Sequence, residues 1–174
     1  MGRPLTRVGS QVEWALGHLL VGLMAIMVID VTWQVASRFV FRAPSSFTEE
    51  LAGFLLIWIG LLGAAYGFRT RAHLGINLLV EQLKGGWKKG AGVSAHLLVL
   101  LFALTTMMGG GISLVRLAFR LDQTSAAMGV RMGFVYLALP LSGALVVLFS
   151  LEAIVQTVGG EGRDRGTAGT GGTN

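Results

Sequence analysis

Eighteen consecutive residues, Leu51 to Phe68, carry no charge, and charged groups mark both ends of the run: Glu49 and Glu50 before it, Arg69, Arg71 and His73 after it. As an α-helix rising roughly 1.5 Å per residue, the run reaches about 27 Å, close to the roughly 30 Å hydrocarbon core of a bilayer. It reads as a membrane crossing with little tilt. Three more apolar runs are long enough to span: Trp14 to Ser37, interrupted only by Asp30, then Ala91 to Val115, then Met132 to Leu151. A composition of 53% hydrophobic and 13% charged residues, with mean hydropathy +0.67, agrees. The expected fold is an all-α integral membrane protein with transmembrane helices at about residues 12–37, 50–68, 91–115 and 132–152.

The basic balance, net charge +5, would point to nucleic acid in a polar protein. Here the Lys and Arg residues lie between apolar runs and read as topology signals, so no nucleic-acid partner is expected. The amino-terminal segment, the second linker and the tail hold nine of them (Arg3, Arg7, Arg69, Arg71, Lys84, Lys88, Lys89, Arg163, Arg165), against five on the other side (Arg38, Arg42, Arg116, Arg120, Arg131). Nine against five places both termini in the cytoplasm. The first run exceeds a signal-peptide core and lacks a small-x-small cleavage site, so it reads as an uncleaved anchor. The chain has no cysteine, which excludes disulfides, Cys-ligated metals, iron–sulfur clusters and thiol chemistry.

Within the second linker, Ile76, Leu79, Val80, Leu83 and Trp87 alternate with Asn77, Glu81, Lys84 and Lys88 in steps of three or four. That pattern predicts an amphipathic interfacial helix over about 74–88, ending near Gly85 and Gly86. Lys84, Lys88 and Lys89 are placed to meet anionic headgroups, and Trp87 suits the headgroup boundary. Residues 159–174, with seven glycines in sixteen, predict a disordered tail after a membrane domain of residues 1–158.

Trp14 and Trp33, nineteen residues apart, are spaced to anchor the first span at both interfaces. Trp58 falls in mid-span, where packing against protein suits an indole better than an interfacial role. Small residues supply candidate close-packing faces: Thr105, Gly109 and Ser113, with Thr106 and Gly110 beside them, on the third span, and Gly60, Ala64 and Gly67 on the second. Pro140 with Gly143 predicts a bend in the fourth. Asp30, His18, His96 and Glu152 are the ionisable groups near the spans, but they form no midplane cluster or relay. His18 and His96 at similar depth leave open one rival, a haem- or quinone-binding membrane anchor subunit.

The order and spacing of several short motifs resemble one family. Arg38-Phe39-Val40-Phe41 is followed by Phe47-Thr48-Glu49-Glu50-Leu51-Ala52, then by Trp58, Gly63-Ala64-Ala65 and the stretch from Arg69 to His73 with Leu74-Gly75-Ile76-Asn77. Gln123-Thr124-Ser125, Met128-Gly129-Val130 and Tyr136-Leu137-Ala138-Leu139-Pro140 continue the pattern. Over roughly residues 10 to 155 the chain is similar to the DctQ-like small membrane subunits of tripartite ATP-independent periplasmic (TRAP) transporters. It departs where members often carry Trp, at Phe47, and where they often carry Asp, at Asn77.

The resemblance implies a non-enzymatic accessory subunit of the bacterial inner membrane, with no cofactor or metal. Its implied partners are a large DctM-like membrane subunit that moves the substrate by an elevator motion, a periplasmic DctP-like solute-binding protein, and the lipid bilayer. Sodium-coupled uptake of an organic anion, often a carboxylate, is the implied activity of the whole. Four spans without broken-helix pairs or an inverted repeat fit a supporting subunit better than an autonomous carrier. The expected structural or partner-contacting residues are Arg38, Glu49, Glu50, Trp58, Gly63, Arg69, His73, Tyr136 and Pro140. Glu50 is expected to open the second helix and pair with Arg38 or Arg42, and Glu49 to face a partner.

Overall fold

A computed structural model describes residues 3–40, 42, 45–81 and 87–159, with side chains for residues 9–40, 42, 45–70 and 94–155. Among the described residues the chain is helical apart from short links. The elements are α1 (Arg3–Phe39), α2 (Ser46–Glu81), α3 (Trp87–Phe102), a π-helical segment (Ala103–Gly110), α4 (Gly111–Arg120), α5 (Met132–Tyr136) and α6 (Ala138–Gly159). Four stretches are long and apolar enough to cross a membrane: Gly9–Phe39, Ser46–Thr70, Ser94–Arg120 and Met132–Val155.

Packing centres on α2 and α6. α1 lies along α2, α6 lies against α2, and the rod formed by α3, the π segment and α4 closes on α6. One core cluster joins Leu16 of α1, Leu62 of α2 and Phe149 of α6, and Trp58 packs against it in mid-span. A second joins Ala65, Ala103 and Val146. Small residues dominate the second cluster because helices in lipid gain little from hydrophobic transfer and associate through close packing.

A close crossing lies between the third and fourth spans, and it uses a different face from the one the sequence predicts. A Cβ on Gly143 would stand 2.7 Å from the Cβ of Met107, and one on Gly111 would stand 2.9 Å from Pro140 Cδ. Each helix thus offers a glycine notch to the other. Thr105, Thr106, Gly109, Gly110 and Ser113 face outward instead. Steps of four describe both faces of this rod, so spacing alone does not choose between them. The apolar set Ala103, Gly111, Val115 and Ala118 takes the buried side. Thr105 and Ser113 satisfy their hydroxyls on their own helix, donating to the carbonyls of Leu101 and Gly109 at 2.8 and 2.9 Å. On α2, Leu55, Leu62 and Ala65 are buried, whereas Gly60, Gly63 and Gly67 have open space where a Cβ would stand.

Pro140 interrupts the fourth span one turn before its own position. Lacking an N–H, it donates nothing to the carbonyl four residues back, and its ring crowds that carbonyl. The helix accordingly breaks at Leu137, between α5 and α6. Gly143 serves the crossing with Met107 rather than the bend.

After Phe68 the helix does not stop. α2 continues to Glu81, so residues 74–81 extend the second span's helix rather than open a new one. Trp87, Lys88 and Lys89 begin α3. The wet and apolar faces predicted for 74–88 rest on side chains outside the described residues, as do residues 82–86 and the tail from 160 onward.

Candidate functional site: two polar clasps at the ends of the second helix

The clasp termed outer, after the orientation expected from the charge count, is built on Glu50. Ser45 starts α2, with the Thr48 N–H 3.5 Å from its Oγ and the Thr48 hydroxyl donating to its carbonyl at 3.0 Å, so the first turn is fixed before the carboxylate is placed. Glu50 then accepts three consecutive backbone N–H groups from the loop between α4 and α5: Ala126 at 3.1 Å, Ala127 at 2.9 Å and Met128 at 2.9 Å. The Ser125 hydroxyl also hydrogen bonds the carboxylate.

That loop is preshaped to present its amides. Ser125 N–H donates to Val130 C=O at 2.9 Å, Gly129 N–H to Ser125 C=O at 3.1 Å, and Met132 N–H to Gln123 C=O at 2.8 Å. Gly129 holds φ at +65°, which glycine adopts without a Cβ clash. Motif pieces some 75 residues apart thereby meet at one carboxylate. The expected partners Arg38 and Arg42 are exposed and contribute no contact to Glu50; Arg42 sits at φ 51° in the link between α1 and α2. Backbone amides displace them because three N–H groups aimed at one carboxylate need no long side chain to be ordered.

The inner clasp is built on Arg69, near the other end of the apolar run. Its Nε donates to Glu13 Oε2 at 3.2 Å, its Nη2 donates to Glu152 Oε1 at 3.1 Å, and its Nη1 lies 2.7 Å from Glu152 Oε2. The guanidinium also lies over the Phe149 ring, 5.4 Å from its centroid. Glu152 is 4% exposed and Arg69 16%, so these charges are largely withdrawn from solvent and depend on one another. Gly9 of α1 completes the site, because a Cβ there would collide with the Glu152 carboxylate. Three helices, α1, α2 and α6, are tied at this end.

The remaining expected residues are more scattered. Glu49 is exposed beside the outer clasp, Tyr136 is half-buried at the end of α5, and Pro140 lies against Gly111. Trp14 and Trp33, at opposite ends of the first span, are 68% and 57% exposed. His73, Lys84, Trp87, Lys88 and Lys89 have side chains outside the described residues. His18 and His96 occupy unlike settings: His18 is exposed with Nδ1 2.8 Å from the Trp14 carbonyl, whereas His96 is buried edge-on to Phe68. Asp30 is buried, and its Oδ2 has no hydrogen-bond partner among the described residues.

Glu13 and Gly9 escape the sequence reading. The signal for Glu13 was present: acidic residues begin the first span and end the fourth at the end of the bundle where the second span turns basic.

Comparison with known proteins gives consistent results. The family described as "Tripartite ATP-independent periplasmic transporters, DctQ component" matches residues 14–160. The sialic acid TRAP transporter small permease protein SiaQ of Vibrio cholerae is 28% identical over 141 residues, 78% of this chain and 77% of its own length. The C4-dicarboxylate TRAP transporter small permease protein DctQ of Rhodobacter capsulatus is 30% identical over 109 residues, 60% of this chain and 45% of its own. The sialic acid TRAP transporter permease protein SiaT of Haemophilus influenzae is 26% identical over 141 residues, which cover 81% of this chain but 22% of SiaT.

Proposed function

Because this chain belongs to the DctQ family, the small permease component of TRAP transporters, we propose that it braces a large DctM-like permease subunit of the bacterial inner membrane. The observation that carries the reading is the match to SiaT, in which the counterpart of this chain is under a quarter of one longer permease polypeptide. A unit that relatives keep joined to a larger membrane chain is suited to stay beside one when it is separate. The two clasps support the same role. They hold α2 to the rest of the bundle at both ends, which makes a stiff frame rather than a moving carrier.

In this proposal the termini face the cytoplasm, the stretch of α2 beyond Thr70 stands at the inner membrane boundary, and the outer clasp faces the periplasm. There Glu49 and the exposed Arg38 are available to the large subunit or to a DctP-like binding protein. Gly63, with open space over its α-carbon, leaves room on α2 for a partner helix. The complex would take up an organic anion, often a carboxylate, coupled to sodium and moved by an elevator motion of the large subunit. The names of the relatives, which include sialic acid and C4-dicarboxylate systems, support the anion class.

Co-purification tests the pairing. An affinity tag on this chain should draw the large subunit out of detergent-solubilised membranes, and Glu50→Gln should lower both its recovery and solute uptake. A chain that always purifies without the large subunit would overturn the proposal.

A further inference from the structure

A groove adjoins the inner clasp and shares Glu13 with it. Ser10, Glu13, Trp14, Gly17, His18 and Val21, on a single face of α1, form it with Tyr66 of α2, and it encloses about 610 Å³. Gly17 forms its floor, where a Cβ would stand 3.5 Å from the Tyr66 ring. The groove runs from polar to apolar along α1. Glu13 and Trp14 stand at its terminal end, near the start of the first span, and Val21, 70% exposed, stands at the end that opens onto the membrane-facing surface. That gradient matches an amphiphile lying parallel to the helix.

The polar end is built to accept a cation that donates hydrogen bonds. His18 Nδ1 lies 2.8 Å from the Trp14 carbonyl oxygen and so carries a proton, and in the tautomer with that single proton Nε2 is an acceptor. Glu13 engages Arg69 through Oε2, which leaves Oε1 for another donor. The Trp14 ring, tilted 39° to the His18 ring with centroids 4.1 Å apart, and the Tyr66 ring add aromatic faces that attract an ammonium group. Arg69 is held by Glu13 and Glu152 and does not line the groove.

We propose that this groove binds a phospholipid whose headgroup ends in a primary ammonium, with the ammonium between Glu13, His18 and Trp14 and an acyl chain along Gly17 and Val21. The inference does not depend on the transport role; only the leaflet, the cytoplasmic one, follows from the proposed orientation. A primary ammonium has three N–H donors for these acceptors, whereas a choline headgroup has none.

Native mass spectrometry of the full chain, released from mixed micelles holding equal amounts of phosphatidylethanolamine, phosphatidylcholine and phosphatidylglycerol, tests the proposal. Wild type should retain phosphatidylethanolamine over phosphatidylcholine by several-fold. Gly17→Leu, which fills the floor, and His18→Ala, which removes an acceptor outside both clasps, should each bring that ratio to parity without lowering the melting temperature. Free phosphoethanolamine should not compete. Equal retention of the two zwitterionic lipids, a preference for phosphatidylglycerol, a preference that survives both variants, or competition by free phosphoethanolamine would each overturn it.

Discussion

Glu50 and Arg69 stand nineteen residues apart on one helix, about 28 Å at the usual rise, and each fastens its end of α2 by a different chemistry. Glu50 is satisfied by main-chain amides of a neighbouring loop, so the identities of Ala126 and Ala127 matter little and the loop's shape matters greatly. Arg69 is satisfied by two side chains from two other helices, so each partner is individually required. Apart from Glu50 itself and the Ser125 hydroxyl, the outer end therefore tolerates changes in side chains but not in backbone, whereas the inner end depends on its side chains. An outer loop has room to form a cradle of amides, whereas at the inner end the neighbours are helices whose amides are already paired, leaving only side chains to meet the charge.

The largest effect should come from the inner end. Arg69→Met leaves the Glu152 carboxylate buried without its guanidinium and should cost about 3–5 kcal/mol, read as a fall in melting temperature by detergent size-exclusion scanning. Replacing Glu152 by Gln as well should recover most of the loss; a double variant no better than the single one would mean the pair is not the source. Glu50→Gln should act more locally. With one acceptor oxygen instead of two and an NH2 turned toward N–H donors, the loop amides of residues 126–128 should exchange hydrogen roughly tenfold faster or more, while the inner end keeps its rates. Uniform acceleration across both ends would break the contrast.

Gly9→Ala sharpens it further. The added methyl displaces Glu152 and should cost about 1–3 kcal/mol, an effect that should vanish in a Glu152→Ala background. Persistence there would show that Gly9 matters for some other contact. The smallest effect belongs to Arg131→Ala. Its pair with Asp122 spans 3.4 Å, but both side chains are more than half exposed, so the change should stay within about 0.5 kcal/mol by chemical denaturation.

These clasps also show what the sequence made legible. Four crossings could be read because run length against bilayer thickness is a one-dimensional property, and Leu51 to Phe68 displays it plainly. Glu50 stood out through its motif, yet its partners did not, because a backbone N–H leaves no mark in the sequence; Arg38 and Arg42 drew the eye only as nearby cations. Glu13 was hidden for another reason. It lies 56 residues from Arg69, and beside Trp14 it passes for part of a membrane anchor. Small residues gave the opposite difficulty: Thr105, Gly109 and Ser113 share their four-residue step with the truly buried face, and only the glycine notches at Gly111 and Gly143 separate the two.

In the proposed role the clasps make the chain a frame, which supports transport without carrying it. Uptake by proteoliposomes tests this most directly, with this chain alone, the large permease subunit alone, or both, each supplied with the solute-loaded periplasmic binding protein and an inward sodium gradient. Uptake above that of empty vesicles should appear only when both membrane subunits are present. Solute entry through this chain alone would contradict the account.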